Sequence, residues 1–180
     1  MNKRYYMPIV KIFLFGIDNA GKTALSMTIK NEKVVNLAPT TAFNISKWVI
    51  KALEFAVWDA PGQIKYREEW IDGLDQAQVL MFVLDTTDAA RFDESKRELD
   101  RILNDQQAAR VPLVFCFHKM DLPEAKANHA KAQEVFKLSE IRNRKVYSFD
   151  TSIKNPESLN PVKDALVFII FHISRLEPKK

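Results

Sequence analysis

The sequence predicts a three-layer α/β fold, in which a mainly parallel sheet is covered by helices on both faces. Short apolar runs recur along the chain, and most are far enough apart for a helix to lie between them. The runs are nearly continuous in apolar residues, which is typical of parallel strands buried on both faces. One pair of runs is too close for a crossover helix, which predicts a single antiparallel edge strand.

Six strands are predicted, and the first is Ile9–Phe15. Phe43–Ile50 and Leu53–Trp58 are separated only by Lys51 and Ala52, so these two strands should form the antiparallel hairpin. The last three predicted strands are Val79–Leu84, Leu113–Phe117 and Val146–Phe149.

Four helices are predicted, and the last of them carries a proline in its first turn, a position that proline favours. The predicted helices are Lys22–Asn31, Ala90–Ala108, Asn128–Phe136 and Pro161–Leu176. The sequence shows no internal repeat, low-complexity segment or linker. We therefore expect residues 1–180 to form one domain, with frayed ends at 1–7 and 177–180.

The composition is that of an ordinary folded protein, with 47% apolar and 28% charged residues. The formal net charge of +4 requires no nucleic acid partner. Cys116 is the only cysteine, which agrees with a reducing compartment. No signal peptide is visible, and Asn2 stands where a myristoylation signal needs glycine. We expect a cytoplasmic protein, and peripheral attachment to a membrane surface is the alternative.

A phosphate-binding motif follows the first predicted strand. Residues 16–23 read Gly-Ile-Asp-Asn-Ala-Gly-Lys-Thr, the pattern G-x-x-x-x-G-K-T between a buried strand and a helix. The glycines let the loop wrap a phosphate with backbone N–H groups, and the helix adds the positive end of its dipole. Lys22 should reach the terminal phosphates, and Thr23 should offer its hydroxyl to magnesium. The alternative is a glycine turn without a ligand, which requires the whole pattern to arise there by chance.

Four later segments resemble the remaining motifs of small GTPases. Residues 39–44, Pro-Thr-Thr-Ala-Phe-Asn, resemble switch I, and residues 58–63, Trp-Asp-Ala-Pro-Gly-Gln, resemble switch II. His-Lys-Met-Asp at 118–121 resembles the guanine-reading N-K-x-D, and Thr-Ser-Ile-Lys at 151–154 resembles its S-A-K companion. All five segments stand in family order, so the chain resembles the Ras superfamily over essentially its whole length.

Within that superfamily the resemblance is to the Arf, Sar and Rag branches. The phosphate loop and Pro-Thr-x-x-Phe-Asn look like Arf and Sar, whereas residues 118–122 and 151–153 look like Rag. A deep-branching archaeal protein would fit this mixture. The resemblance implies a P-loop NTPase G domain that binds GTP or GDP with Mg²⁺ and hydrolyses GTP.

The resemblance also assigns roles at the phosphate end. Thr23 and Thr40 would hold magnesium directly, and Asp59 would hold it through water. Lys22, Thr40 and Gln63 would be the catalytic residues, with Gln63 orienting the attacking water. Neither the phosphate loop nor residues 37–41 contain an arginine, so we expect slow intrinsic hydrolysis and an activating protein that supplies one.

At the base end, the Asp121 carboxylate can accept two hydrogen bonds from the guanine edge, and the Lys119 stem should stack over the ring. His118 stands where small GTPases more commonly have asparagine, and Rag-like proteins have the same histidine. A strand-end histidine without a ligand is the alternative interpretation. The nucleotide contacts implied by the resemblance are Asp18, Asn19, Ala20, Gly21, Lys22, Thr23, Ala24, Thr40, Gly62, His118, Lys119, Asp121, Ser152 and Ile153.

Phe43 and Trp58 fall where Arf-like proteins carry two members of an exposed aromatic triad that effectors bind, and Gly73 stands at the third position. Effector binding and plain core packing both stay open for this pair. The resemblance implies effectors, an exchange factor and an activating protein as partners. Rag proteins pair through a further C-terminal domain that this sequence does not show, so we expect a monomer.

The main interpretation is a hydrolysing molecular switch. A scaffold that binds GTP and scarcely hydrolyses it is the alternative, because Pro61 could stiffen switch II. Gln63 favours hydrolysis. A small P-loop kinase would need a second substrate site and usually an arginine-rich lid, and the sequence shows neither.

Overall fold

A six-stranded sheet forms the centre of the molecule. The computed structural model describes residues 9–35 and 37–176, so the predicted frayed ends at 1–7 and 177–180 lie outside the described residues. The strands are β1 (Val10–Phe15), β2 (Asn44–Ile50), β3 (Leu53–Asp59), β4 (Val79–Asp85), β5 (Leu113–His118) and β6 (Val146–Asp150). Their order across the sheet is β2-β3-β1-β4-β5-β6, and only β2 runs antiparallel to its neighbour. The predicted mostly parallel sheet with one reversed edge strand is confirmed.

The helices differ from the prediction mainly in their bounds. They are α1 (Lys22–Ile29), α2 (Trp70–Gly73), α3 (Phe92–Leu103), α4 (Pro123–Phe136) and α5 (Asn160–Leu176). The predicted helix at Ala90–Ala108 is too long, because Asp105 accepts a hydrogen bond from the N–H of Gln107 and caps a separate 3₁₀ turn. The predicted start of α4 at Asn128 is five residues late, since Pro123 occupies the first helical position.

The segment that follows residues 58–63 is helical, which the sequence does not predict. Ile64–Glu69 forms a 3₁₀ helix that leads into the short α2. Its residues show no apolar repeat of helical period, so no pattern distinguished it from a loop. The predicted end of α1 at Asn31 is wrong by two residues, because Asn31 has φ +60, which a right-handed helix cannot contain.

Side chains that alternate along β1 build the two sides of the molecule. Val10, Ile12 and Leu14 belong to the core cluster that packs against α1 and α5. Phe13 and Phe15 point to the opposite face, into the cluster shared with α2, α3 and α4. Because successive side chains of a strand face opposite ways, two separate apolar clusters require helices on both faces. The three-layer prediction is confirmed.

The parallel strands all end at one edge of the sheet. The loop after β1, Asp59 at the end of β3 and His118 at the end of β5 therefore lie close together, although they are far apart in sequence. In the sheet, β3 lies on one side of β1 and β4 lies on the other. The direction in which successive strands are added therefore reverses at β1. Open α/β sheets bind ligands outside the carboxyl ends of their strands at such a reversal of order.

Candidate functional site

The phosphate loop, residues 16–23, lies so close to the sheet that its two glycines are required. A Cβ at Gly16 would lie 2.4 Å from the backbone oxygen of Val83. Gly21 has φ +94, and a Cβ there would lie 2.8 Å from Cδ2 of His118. Any larger residue at either position would push the loop away from β4 or β5. The spacing of the motif thus seats the loop on the carboxyl ends of these strands.

Lys22 is a buried cation at the start of α1. Its Nζ donates hydrogen bonds to the backbone oxygens of Gly16 and Ile17, at 2.8 and 3.1 Å. Burial lowers the pKa of Lys22 to about 8, against the opposing attraction of the carboxylates of Asp59 and Asp18. Buried charges require compensation, and a phosphate oxygen beside Nζ would supply it. The local electrostatics therefore suit an anionic ligand.

Three oxygen-bearing side chains meet next to this lysine. Thr23 Oγ1 donates to Oδ2 of Asp59 at 2.8 Å and lies 3.3 Å from Oγ1 of Thr40. Burial raises the pKa of Asp59. Its other carboxylate oxygen, Oδ1, is buried and has no hydrogen-bond partner among the residues that the structure describes. An orphaned carboxylate oxygen beside two hydroxyls is the hard-oxygen set that Mg²⁺ prefers, so these residues fit the metal.

These three side chains would not hold a metal ion alone. Within residues 9–35 and 37–176, no group of three or more His, Cys, Asp or Glu side chains could bind a metal. Mg²⁺ commonly keeps several waters and binds through one or two carboxylates together with substrate phosphates. The donor set at Thr23, Thr40 and Asp59 therefore fits a magnesium ion that arrives with a nucleotide.

Gly62, in the segment 58–63 that is predicted to be switch II, lies directly on the phosphate loop. Its backbone oxygen accepts a hydrogen bond from the N–H of Asp18 at 2.9 Å. A Cβ at Gly62 would lie 2.6 Å from the nitrogen of Asp18 and 2.7 Å from Nζ of Lys22, so only glycine fits. Gln63 follows and lines the same cavity as Lys22 and Thr40. The residue predicted to orient water thus lies at the phosphate end of the site.

His118 is buried between β6 and the phosphate loop. Its Nδ1 lies 2.9 Å from Oγ1 of Thr151, and its ring lies so close to Gly21 that a Cβ there would be 2.8 Å from Cδ2. Burial lowers the pKa of His118 to about 4, and the charge of Lys119 contributes in the same direction. The imidazole is therefore neutral at pH 7. The interpretation of His118 as a strand-end histidine without a ligand stays open, but the ring does support the loop.

Lys119 and Asp121 are both fixed by neighbouring side chains. Lys119 Nζ forms an ion pair with Oδ2 of Asp85, whose other oxygen accepts the N–H and the hydroxyl of Thr87. Asp121 Oδ1 accepts a hydrogen bond from the hydroxyl of Ser152. These contacts leave the second carboxylate oxygen of Asp121 for a ligand in the cavity that Lys119 and Asp121 line.

Most of the predicted nucleotide contacts line one cavity of about 570 Å³. The predicted residues along it are Asp18, Asn19, Gly21, Lys22, Thr23, Ala24, Thr40, Gly62, Gln63, His118, Lys119, Asp121 and Ile153. Ala20, Asp59 and Ser152 do not line it and are almost fully buried. Two of them are hydrogen-bonded to residues that do line the cavity. Asp59 accepts from Thr23, and Ser152 donates to Asp121. The roles assigned to all of these residues stay predictions.

Phe43 and Trp58 lie apart from this cavity and contact each other. Their rings are 5.7 Å apart, and both are partly buried against the core of the α2 side. Phe43 also packs over Gly73, where a Cβ would lie 2.7 Å from its ring atoms and from Cε2 of Phe13. Phe43 therefore fills part of the space that a third aromatic residue would need. Both packing and partner contact remain compatible with this half-buried pair.

A set of ion pairs around Asp18 is not predicted by the sequence. Arg91 donates to both carboxylate oxygens of Asp18, at 2.8 and 3.1 Å, and Arg67 donates to Oδ1 at 3.0 Å. Both arginines also form ion pairs with Glu94 at 2.8 Å. The hydrogen bonds from Arg91 lower the pKa of Asp18. No local motif signals these contacts, since the arginines lie 49 and 73 residues after Asp18.

Among the described residues, no helix combines the length and the apolar character that crossing a bilayer requires.

Comparisons with known proteins found a matching family and similar solved structures. Residues 4–170 match the model of the ADP-ribosylation factor (Arf) family. Among solved structures, the chain is similar to the Arl6 BBS3 small GTPase from Trypanosoma brucei, whose structure contains the nucleotide analogue GppNp. The TM-score is 0.79 at 23% sequence identity, and the match covers 94% of this chain and 100% of the other. At this identity, the likeness shows that both chains share the small GTPase fold.

Proposed function

The chain belongs to the Arf family of GTP-binding small GTPases, and from this premise we propose that it is a molecular switch that hydrolyses GTP slowly. The observation that carries the proposal is the meeting of Lys22, Thr23, Thr40, Asp59 and Gly62 at one end of the cavity. Members of the family are generally GTP hydrolases. We infer the activity of this chain from the side chains that line its own cavity.

Binding of the phosphates would rest on the phosphate loop. Backbone N–H groups of the loop and the first turn of α1 would surround the phosphates, and Nζ of Lys22 would neutralise part of their charge. Magnesium would be held by Thr23 and Thr40, and by Asp59 through water, and would neutralise further charge on the phosphates. The buried, unpaired Oδ1 of Asp59 supports this assignment.

Hydrolysis would depend on positioning rather than on covalent chemistry, because phosphoryl transfer mainly needs alignment and charge neutralisation. Gln63 would orient the attacking water at the phosphate end of the cavity. Arg67 and Arg91 are already bound to Asp18 and Glu94, so neither has a guanidinium free for the reacting phosphate. We therefore propose slow intrinsic turnover and an activating protein that supplies an arginine.

Selection of guanine would rest on Asp121, Lys119 and His118. The Ser152 hydroxyl donates to one oxygen of Asp121, and the ion pair with Asp85 anchors the ammonium group of Lys119. His118 and the residues around Thr151 have the Rag-like form. On these positions we base the proposal that this chain lies near both Arf and Rag, in a deep and archaeal branch. GDP and GTP would bind through the same base contacts.

The switch would operate through Thr40 and Gly62. Both would contact the terminal phosphate only when GTP is bound, so hydrolysis would release the two loops that carry them. Effectors, an exchange factor and an activating protein would read that difference, with Phe43 and Trp58 as the proposed effector contacts. A cytoplasmic monomer, with peripheral attachment to a membrane as the alternative, completes the proposal.

A GTP-dependent scaffold without hydrolysis is a second candidate function. It is favoured by the rigid start of switch II, where the indole N–H of Trp70 donates to the backbone oxygen of Pro61 at 2.7 Å. A stiff switch II could hold Gln63 away from the attacking water. The same contacts would then serve docking alone.

Phosphate release from GTP distinguishes the two candidates. The wild-type chain should release phosphate slowly, on the order of 10⁻⁴ to 10⁻³ per second, and Gln63→Leu should reduce the rate about tenfold or more. Gln133→Leu, the same change at an exposed glutamine on α4, is the matched control and should keep the wild-type rate. If neither the wild-type chain nor Gln63→Leu releases phosphate at a measurable rate, hydrolysis is contradicted and the scaffold is supported.

A further inference from the structure

We propose that Arg67 and Arg91 are positioning residues that hold the carboxylate of Asp18 away from the terminal phosphate, so that the phosphate loop tolerates an acidic residue there. This inference rests on the proposed function, because it concerns the phosphate site of that function. It assigns a role to two arginines that belong to none of the five sequence motifs.

Asp18 lies at the end of the cavity where the terminal phosphate is proposed to bind. Its backbone N–H donates to Gly62, and a Cβ at Gly62 would lie 2.7 Å from the Cα of Asp18. Gln63 and Lys22 line the cavity at the same end, whereas Asp121 and His118 line it at the base end. A carboxylate turned inward from position 18 would therefore face the terminal phosphate and would repel it.

The observed carboxylate is instead bound on the outer side. Arg91 grips both of its oxygens, and Arg67 adds a third hydrogen bond. These contacts lie in a smaller neighbouring cavity, which Asp18 and Gln63 also line. Planar guanidinium groups that bind a carboxylate through two parallel bonds fix its orientation as well as its charge. The two arginines thus determine which way the side chain of Asp18 points.

The surrounding charges are balanced within the described residues. Three arginines meet three carboxylates in a continuous set of ion pairs and hydrogen bonds, formed by Arg67, Arg91, Arg101, Asp18, Glu94 and Glu98. The guanidinium of Arg67 is almost fully buried in this set, with a side-chain exposure of 3%. Loss of one arginine would leave an uncompensated negative charge beside the terminal phosphate. This charge would repel GTP more strongly than GDP, because GDP lacks the terminal phosphate.

Arg67 also connects this set to switch II. Its Nε donates to the backbone oxygen of Gly62 at 2.7 Å, and its own backbone oxygen accepts from Arg101 on α3 at 2.7 Å. Asp18, Gly62 and α3 are therefore joined through one residue, Arg67. A displacement of Gly62 by the terminal phosphate would have to change the contacts of Arg67.

The test measures how strongly the protein prefers GTPγS over GDP. Calorimetry with magnesium gives the dissociation constant of each nucleotide, and the ratio of the two constants is the readout. Arg91→Ala should weaken GTPγS relative to GDP by about tenfold, and added salt should reduce this defect because it screens charge. Adding Asp18→Asn to Arg91→Ala should restore the ratio, since it removes the repelling charge. Arg97→Ala, at an exposed arginine on α3, the helix that begins directly after Arg91, is the matched control.

The outcomes separate this inference from the proposed function. A wild-type protein that binds neither nucleotide would defeat the proposed function itself. If Arg91→Ala weakens GDP and GTPγS equally, or if Asp18→Asn does not restore the ratio, the arginines are structural only and the inference is overturned. Should Arg91→Ala fail to fold, Arg91→Gln keeps part of the aliphatic stem and a polar end without the charge, and it gives the same test.

Discussion

The neutral imidazole of His118 makes the stability of the molecule depend on pH. Its pKa in the folded protein is about 4, against an ordinary value of 6.5, because the ring is buried. Between these pH values the unfolded chain binds a proton that the folded chain excludes. Unfolding therefore becomes more favourable as the pH falls through this window, and the stabilisation is fully present above it.

We predict that His118→Asn removes this part of the acid sensitivity. Wild type should lose up to about 3 kcal/mol of unfolding free energy from this one group between pH 6.5 and 4, and the variant should not. Urea unfolding at several pH values measures the slope. His172→Asn, at an exposed histidine on α5, is the control and should keep the wild-type slope. Identical slopes for His118→Asn and wild type would mean that the ring is not excluded from protonation.

Gly73 is a second residue at which one atom matters. A Cβ there would lie 2.7 Å from ring atoms of Phe13 and Phe43, so Gly73→Ala must displace a packed aromatic side chain. We predict a loss of about 1 to 3 kcal/mol of stability, despite the better helix propensity of alanine. In a Phe43→Ala background the same change should cost less, although the clash with Cε2 of Phe13 remains. Equal costs in both backgrounds would show that the clash with Phe13 alone sets the cost.

At the scale of elements, the hairpin between β2 and β3 contains a strained turn. Lys51 and Ala52 have φ +49 and +63, the left-handed conformation that two-residue hairpins require and that glycine adopts at low cost. The sequence predicts the hairpin from its two-residue spacing. It does not predict the strain, since neither residue is typical of such a turn.

We predict that Ala52→Gly stabilises the protein by about 1 kcal/mol, because relief of the left-handed strain exceeds the entropy that glycine adds to the unfolded chain. Thermal or urea unfolding measures the change. Ala56→Gly, at a position within β3 that lacks a positive φ, should destabilise instead. A destabilised Ala52→Gly variant would show that the turn gains nothing from glycine.

The sequence predicts features that have a local signal, and it does not predict features that depend on contacts between distant residues. Strands and motifs were recognisable because their signals are local: apolar runs for the strands, and fixed spacings for the phosphate loop and for residues 118–121. The 3₁₀ helix Ile64–Glu69 was missed because its conformation depends on contacts such as Arg67 with Gly62 and Asp18. Partners that are distant in sequence, including Asp85 for Lys119, leave no local pattern either.

For the whole molecule, the central claim is that one nucleotide with magnesium occupies the cavity at the carboxyl edge of the sheet. The cavity is lined at one end by Lys22 and Thr40 and at the other by Asp121, so phosphate and base contacts belong to one site. A ligand that binds only the folded state also stabilises it, by about 2.7 kcal/mol at a concentration one hundred times its dissociation constant. Binding and stability should therefore change together.

Calorimetric titration of the purified chain with GTPγS, with magnesium and then with a chelator in its place, tests this claim most directly. We predict saturable binding at a single site, an affinity at least about tenfold lower without magnesium, and no competition by ATP at similar concentrations. Absence of magnesium-dependent binding, or a preference for ATP, would contradict the account.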